Sequence, residues 1–252
     1  MEHGQSTVLV AIPALDWRVN IVLATFLYRL LGRSSDPAFG YQFSITVAPE
    51  ISPVHYARNL LVGIFLKETN ADFLWFIDND MMPDESSLEI LNTDADIASG
   101  RCLATRPSEH GIDLAVTAFS TRNPATGEFQ TVPSSAGSAT PILGAGAANL
   151  LVRRKVLEDP RMQLDPDYKD LLGNTHSVLE DANFAPPIFR TLYKPNGQVL
   201  LSEDIDFVYR ASQFGYRCSY YPGARMGHLK TVDLNSIEQM IKRVGSLVGP
   251  KP

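Results

Sequence analysis

Phe73-Leu-Trp-Phe-Ile77 runs straight into Asp78-Asn79-Asp80. Five apolar residues in a row leave no polar face, the pattern of a strand covered on both sides at the centre of a parallel sheet. Upstream, Thr7-Val-Leu-Val-Ala-Ile-Pro13 is a short β-rich run closed by proline. From Val19 the apolar residues Val22, Leu23, Phe26, Leu27 and Leu30 recur at helical spacing. Phe43 to Val47 predicts a second strand, and Ser52 with Pro53 supplies an N-cap and first-turn signal for a helix through about Glu68. Downstream, Pro83 opens a short helix to about Leu91, and Ile97 to Ala104 makes a fourth strand. The first hundred residues thus read β-α-β-α-β-α-β, and the expected fold class is α/β: an open, mostly parallel sheet covered by helices.

Beyond Arg101 the alternation weakens. Ala115 to Ser120 and Phe129 to Val132 predict short strands around a turn at Asn123-Pro-Ala-Thr-Gly127, and Ala147 to Arg153 a further strand feeding a short helix. Leu157 to Asn183 is polar, acidic and punctuated by proline, a long loop and a candidate lid. Ser202 caps a helix to Phe214 that Gly215 ends, and Tyr216 to Tyr221 is a strand. The last helix, Asp233 to Val248, carries the apolar stripe Leu234, Ile237, Met240, Ile241, Val244 and Val248. No repeat or linker interrupts the chain, so a single domain over 1–252 is expected.

With 252 residues, 44% hydrophobic and 20% charged, the chain can bury a sizeable core, which excludes disordered, collagen-like and fibrous classes. The 22 basic and 28 acidic side chains give a net charge of −6. That balance argues against a sequence-independent nucleic-acid binder, while leaving room for a local basic groove. Cys102 and Cys218 lie in separate segments and read as two reduced thiols. The N-terminal MEHGQST has no signal-peptide pattern, and the longest uncharged run, Phe129 to Val152, is broken by prolines and glycines. A soluble, cytoplasmic protein with no membrane span is expected.

Ligands in open α/β sheets bind at the carboxyl ends of strands, so the residues after each strand matter most. Asp78 and Asp80 leave the third strand at i and i+2, pointing the same way, and two anions so close call for a cation or a proton between them. A hard divalent ion, Mg²⁺ or Mn²⁺, would suit them and would in turn hold a ligand's phosphates; alternatively both aspartates cap the helix after Pro83. Arg58 lies on the stripe Val54, Arg58, Leu61, Phe65 and needs an anion, either a structural carboxylate such as Asp78 or Asp80 or a ligand phosphate. In Leu201-Ser-Glu203-Asp204-Ile-Asp206-Phe207, Ser202 places Glu203 and Asp204 in a first helical turn, where the dipole favours negative charge. Three carboxylates in four residues beside Ile205 and Phe207 also suggest more than capping. His228 follows the glycine-containing Pro222-Gly-Ala-Arg-Met-Gly, either as a structural loop histidine or as a third ligand for an ion such as Mn²⁺.

In this order the pieces resemble the GT-A fold nucleotide-sugar glycosyltransferases, especially the family 2-like enzymes of bacteria and their phages. The matching elements are Ala11-Ile12-Pro13, Ala57-Arg58-Asn59, Ile77-Asp78-Asn79-Asp80 as the D-x-D motif, and Gly144-Ala-Gly146 before Asn149-Leu-Leu-Val-Arg153. Ser202-Glu203-Asp204 through Phe207 follows as the acidic helix motif, with Gly215 and His228 downstream, so the likeness covers about residues 7 to 230. It implies a nucleotide-binding half to about residue 100, an acceptor and catalytic half over about 101–232, and the C-terminal helix beyond. Pro13, Ala14 and Asp16 would contact the donor nucleotide, Arg58 would help hold the diphosphate, and Asp78 with Asn79 would lie on the donor. Asp80 and His228 would bind Mn²⁺ or Mg²⁺, Asp204 would be the catalytic base with Glu203 beside it, and Gly144 and Gly146 would let the backbone approach the sugar.

The expected activity is transfer of a sugar from a UDP- or GDP-sugar to an acceptor hydroxyl, with inversion. Expected acceptors are a polysaccharide, a small glycoside or, through a cluster including Arg101, Arg106, Arg122, Arg153 and Arg217, a modified DNA base. Two other classes compete. Haloacid dehalogenase-type phosphatases also place D-x-D after an apolar strand, though there the motif lies near the N-terminus. A non-catalytic nucleotide- or sugar-binding module is the second, and the joint presence of Asp78, Asp80, Asp204 and His228 speaks against it.

Overall fold

The structure, a computed structural model, describes residues 5–108, 111–133, 136–163, 188–194 and 196–229, with the side chains of 105–114 left out. The expected lid from Leu157 is therefore described only to residue 163, and the helix Asp233 to Val248 lies outside the described residues. Strand β1 (Ser6–Ala14) leads through helix α1 (Ile21–Arg33) to β2 (Tyr41–Pro49), and helix α2 (Val54–Glu68) crosses back to β3 (Phe73–Ile77). Short β4 (Met81–Pro83) and a 3-10 helix, Glu85–Asn92, precede β5 (Ile97–Arg101). A hairpin, β6 (Leu103–Ser108) with β7 (Gly111–Val116), stands apart from the main sheet, as does β8 (Ala118–Arg122) with β9 (Phe129–Thr131). The chain continues through β10 (Thr140–Pro141), β11 (Gly144–Ala145), β12 (Asn149–Arg153) and α3 (Arg154–Leu157). It closes with β13 (Leu192–Tyr193), β14 (Val199–Leu201), α4 (Glu203–Gln213) and β15 (Cys218–His228).

The main sheet runs β10-β15-β5-β12-β3-β1-β2, with β4 paired to β15. It is a mixed sheet, which corrects the mostly parallel expectation. β2, β1 and β3 are parallel and so are β5 and β15, but β12 is antiparallel to both β3 and β5. β12 carries only the short apolar stretch Leu150-Leu-Val152, which reads the same whichever way it runs, so periodicity alone could not fix its direction. Every residue of β3 is buried, and its alternation divides the core. Leu74 and Phe76 pack on one face with Leu61 and Phe65 of α2 and Phe207 of α4, while Phe73, Trp75 and Ile77 pack on the other with Leu23, Phe26 and Leu30 of α1.

Several local expectations change. Pro83 ends a strand rather than opening a helix, and the 3-10 helix that follows is capped by Asp84, whose side chain accepts from the Ser86 N–H while Ser87 closes a capping box. Pro53, not Ser52, occupies the N-cap of α2, without a side-chain cap bond. The predicted strand Ile97 to Ala104 splits at Cys102. The expected loop Pro222 to His228 is the second half of β15: a register irregularity between Tyr221 and Arg225 absorbs Pro222 and Gly223, and the strand then pairs with β4. Both cysteines are free and buried.

Candidate functional site

The strand order 2-1-3 puts a topological switch between β1 and β3: α1 carries the chain to one side of β1 and α2 returns it to the other. The carboxyl ends of β1 and β3 thus diverge around a crevice, the place such sheets offer a ligand. A cleft of about 170 Å³ lies there, lined by Pro13, Ala14, Leu15, Ile51, Val54, Asp78, Asn79 and Asp80. Asp16 stands outside it in an exposed turn, where its carboxylate accepts the Arg18 N–H at 3.0 Å.

Two asparagines hold the walls together. Asn20 caps α1 by accepting the Leu23 N–H at 2.9 Å, and its amide donates to the Met81 carbonyl at 2.7 Å and to the Asn79 carbonyl at 3.3 Å. Asn79 reciprocates by donating to the Arg18 carbonyl at 3.1 Å. The turn after β1 and the turn after β3 are thereby stapled. Neither Asp78 nor Asp80 caps the helix after Pro83.

Behind the cleft, Arg58 is buried at 3% exposure and lies between two carboxylates. It donates to Asp78 at 2.9 Å and to Glu203 from its other terminal nitrogen, while its Nε–H has no partner among the described residues. The structural alternative for Arg58 is therefore filled, and Glu203, expected beside the base, points inward instead. One guanidinium stands among Asp78, Glu203 and Asp204, so negative charge is in surplus. Burial pushes the Asp78 carboxyl up, Arg58 pulls it back, and Asp80 and Asp204 push it further. Burial and the neighbouring Asp204 charge, opposed by Arg58, likewise carry Glu203 up to about 7.

The Asp204 carboxylate takes the Ser202 hydroxyl and the Ile205 N–H (2.8 Å) on Oδ1 and the Ala147 N–H on Oδ2 at 3.1 Å. Ser202 thus spends its hydroxyl on Asp204 rather than on the helix end. Gly144 and Gly146 allow the 144–147 segment, β11 and the turn after it, to lie this close to α4. A Cβ at Gly144 would sit 3.0 Å from Ile205 Cγ2, and one at Gly146 would sit 3.0 Å from Thr117 and 3.6 Å from Asp204 Oδ2.

At the mouth, His228 Nε2 lies 2.8 Å from Asp80 Oδ2, and its Nδ1 lies 3.2 Å from the Leu103 carbonyl. A carbonyl only accepts, so Nδ1 donates to it, and Nε2 is hydrogen-bonded to the Asp80 carboxylate, a bond that a metal ion shared by the two side chains would replace. That is the orientation of a metal-ligating histidine held by a backbone carbonyl on its other nitrogen. Among the described residues, no group of three or more His, Cys, Asp and Glu side chains could hold a metal by itself. Two ligands, one oxygen and one nitrogen, do fit an ion whose remaining positions are taken by phosphates and water, as Mg²⁺ sites commonly are.

Sequence reasoning missed two supports of this site. Asn59 accepts the Ile188 and Phe189 N–H groups at 2.9 and 2.8 Å and donates to the Phe189 carbonyl at 3.0 Å, pinning that segment to α2. Asn149 bridges the Trp75 indole and the Ala224 carbonyl at 3.0 and 3.2 Å, joining β12 to β3 and β15. A buried asparagine in an apolar strand was the available signal for the second. Part of the predicted cation cluster lies away from the site. Arg153, Arg154, Lys155 and Arg217 gather with Asp72, Asp94 and Asp96 at the opposite end of the sheet, and Arg122 packs on Phe129 and Tyr209.

These features define an α/β protein of Rossmann-like fold with a mixed sheet and a polar crevice at its switch point. No protein-family model and no curated protein sequence matches the chain. Among solved structures it is similar to A197 from STIV, at 15% identity over 89% of this chain and 86% of that one, with a TM-score of 0.50. That likeness shows a common fold. It is also similar to GalNAc-T7 with UDP, GalNAc and Mn²⁺ (10% identity, 91% of this chain and 44% of that one, TM-score 0.45). A third is the inositol-1-phosphate CTP transferase from T. maritima (11% identity, 94% and 97%, TM-score 0.40). Scores below 0.5 add no argument to the first.

Proposed function

We propose that the chain is a GT-A type glycosyltransferase that moves a sugar from a nucleoside diphosphate donor, a UDP- or GDP-sugar, to an acceptor hydroxyl. The observation that carries this reading is the crevice itself, with Pro13 and Ala14 from β1 facing Asp78, Asn79 and Asp80 from β3. The nucleotide lies against the end of β1, and Asp78, held by Arg58, presents a fixed acceptor to ribose or sugar hydroxyls. Asp80 and His228 would hold Mn²⁺ or Mg²⁺, which when bound supplies positive charge to the leaving diphosphate. Arg58 does not reach the phosphates in this account; it positions Asp78 and Glu203.

Asp204 takes the proton of the acceptor hydroxyl, with the Ser202 hydroxyl and two backbone N–H groups fixing its carboxylate plane. Glu203 is a positioning residue. A thermal-shift screen of UDP-, GDP-, CDP- and dTDP-sugars with and without Mn²⁺ tests the reading, since a specific donor stabilises the fold by mass action. One donor should raise the melting temperature, and only with metal. Equal, negligible shifts across all four would overturn it.

A further inference from the structure

Arg101 and Arg225 stand opposite each other on adjacent strands. They are Cα partners of the parallel pair β5 and β15, where pairing resumes after the irregularity at Tyr221. Neighbouring strands lie about 4.8 Å apart, and like charges directly opposite each other destabilise a sheet. At the other end of the sheet Lys155 and Arg217 each have a carboxylate. Neither the Arg101 nor the Arg225 guanidinium has an ion pair or hydrogen bond among the described residues.

Both side chains leave the sheet on the face that α2 and α4 cover. Arg101 follows Ile97 and Ser99 on that side of β5, and Ser99 pairs with Tyr220, whose buried ring belongs to the same core cluster as Ile97. Ala224 and Met226, which flank Arg225, belong to the other cluster, so Arg225 points the opposite way from them. Burial raises the Tyr220 phenol while the Arg101 and Arg225 charges oppose that rise, so both guanidiniums lie within electrostatic reach of its hydroxyl.

The strand register relates this pair to the crevice. Leu150 of β12 is opposite Phe76 of β3 and Ser99 of β5, so Arg101, two residues on, stands in the same row of the sheet as Asp78. With β12 between them, β3 and β5 are about 10 Å apart. Asp204 accepts from the Ala147 N–H in the turn that leads into β12. Along this edge of the sheet the order is therefore crevice, Asp204, Arg101, Arg225.

We propose that Arg101, Arg225 and the Tyr220 hydroxyl bind a phosphate group carried by the acceptor, on the side of Asp204 away from the crevice. A phosphate monoester carries about −1.5 to −2 near pH 7, enough to neutralise both arginines, whereas a carboxylate supplies one charge. Two guanidinium forks also match the several oxygens of a phosphate. The acceptor role rests on the glycosyltransferase reading; the anion site rests on the arginine pair.

The test titrates inorganic phosphate in EDTA, followed by phosphorus NMR line broadening, against the unaltered chain, Arg101→Gln, Arg225→Gln and Asp80→Ala. Phosphate should bind the unaltered chain and Asp80→Ala alike, and each arginine variant about tenfold or more weakly. In phosphate-free buffer Arg225→Gln should melt no lower than the unaltered chain, because it removes a repulsion. If Arg101→Gln does not fold, Arg101→Lys, which keeps the charge and loses the fork, should show a smaller loss in the same direction. No binding, binding lost only in Asp80→Ala, or acetate binding as tightly as phosphate overturns the site, as does a lowered melting temperature of Arg225→Gln with phosphate binding retained. Nucleotide calorimetry separates the two readings. Nucleotide binding without phosphate binding overturns the arginine site alone, and phosphate binding without nucleotide binding overturns its assignment to an acceptor.

Discussion

A single guanidinium organises the acidic side of the crevice. Arg58 is buried among Asp78, Glu203 and Asp204, so one positive charge serves three carboxylates, and burial with the neighbouring anions pushes the Asp78 and Glu203 carboxyls up. Glu203 titrates near 7 in the folded chain against an ordinary value of 4.5. The folded state thus keeps a proton that the unfolded chain has lost, and this residue's contribution makes stability fall as pH rises from about 4.5 to about 7. Glu203→Gln should flatten that slope, read as urea midpoints across the interval; an undiminished slope would place the titration elsewhere. Asp204 differs from its neighbour because it faces the Gly146–Ala147 turn after β11, whereas Glu203 turns inward onto Arg58. Asp204→Asn keeps the shape and removes the proton acceptor, so donor affinity should persist while turnover falls by about 10²–10⁴-fold. Turnover and melting temperature on one preparation decide: near-native turnover with a lowered melting temperature, a loss of about 0.5–2 kcal/mol, would make Asp204 a structural cap.

At the scale of elements, what could be read from the chain was the period of its apolar residues. β1, α1, β2, α2 and β3 appear in the order and nearly the bounds that Val8 to Phe76 predict, because each buries a continuous face and its pattern is local. Strand direction and partner choice are not local. β12 runs antiparallel to β3 because of how the chain returns, and β15 passes through Pro222 and Gly223 because its partner changes from β5 to β4. The site shows the same division. Asp78 and Asp80 were legible from the strand they leave, whereas the inward turn of Glu203 onto Arg58 depends on α4 packing against α2. Gly100 records a contact of that non-local kind: a Cβ there would lie 1.9 Å from Asn149 Nδ2 and 2.5 Å from the Ala224 carbonyl oxygen, which cannot yield. Gly100→Ala should therefore cost at least the roughly 1–3 kcal/mol of ordinary overpacking. Gly32 in α1 meets nothing within 4 Å, so Gly32→Ala should stabilise by about 0.5–1 kcal/mol. Equal melting temperatures for the two variants would contradict this account of the packing.

For the whole molecule, the fold has a division of labour between its two sheet ends. The carboxyl ends of β1 and β3 hold the crevice, and the far end holds the ion pairs Lys155–Asp96 and Arg217–Asp94, beside Arg153, which donates to the Ala95 and Thr93 carbonyls. Lys155 and Arg217 are thus matched by carboxylates. Among the described residues, no helix is long and apolar enough to cross a membrane. The molecule's central claim is that the crevice takes a nucleoside diphosphate with a divalent ion held by Asp80 and His228. Titration calorimetry of UDP and of GDP, each with Mn²⁺ and with EDTA, tests it most directly, on the unaltered chain and on His228→Ala. Binding of one nucleotide with Mn²⁺ that disappears in EDTA and weakens in His228→Ala, with the melting temperature retained, is the predicted result. No binding of either nucleotide with Mn²⁺, or equal affinity in EDTA, would contradict it.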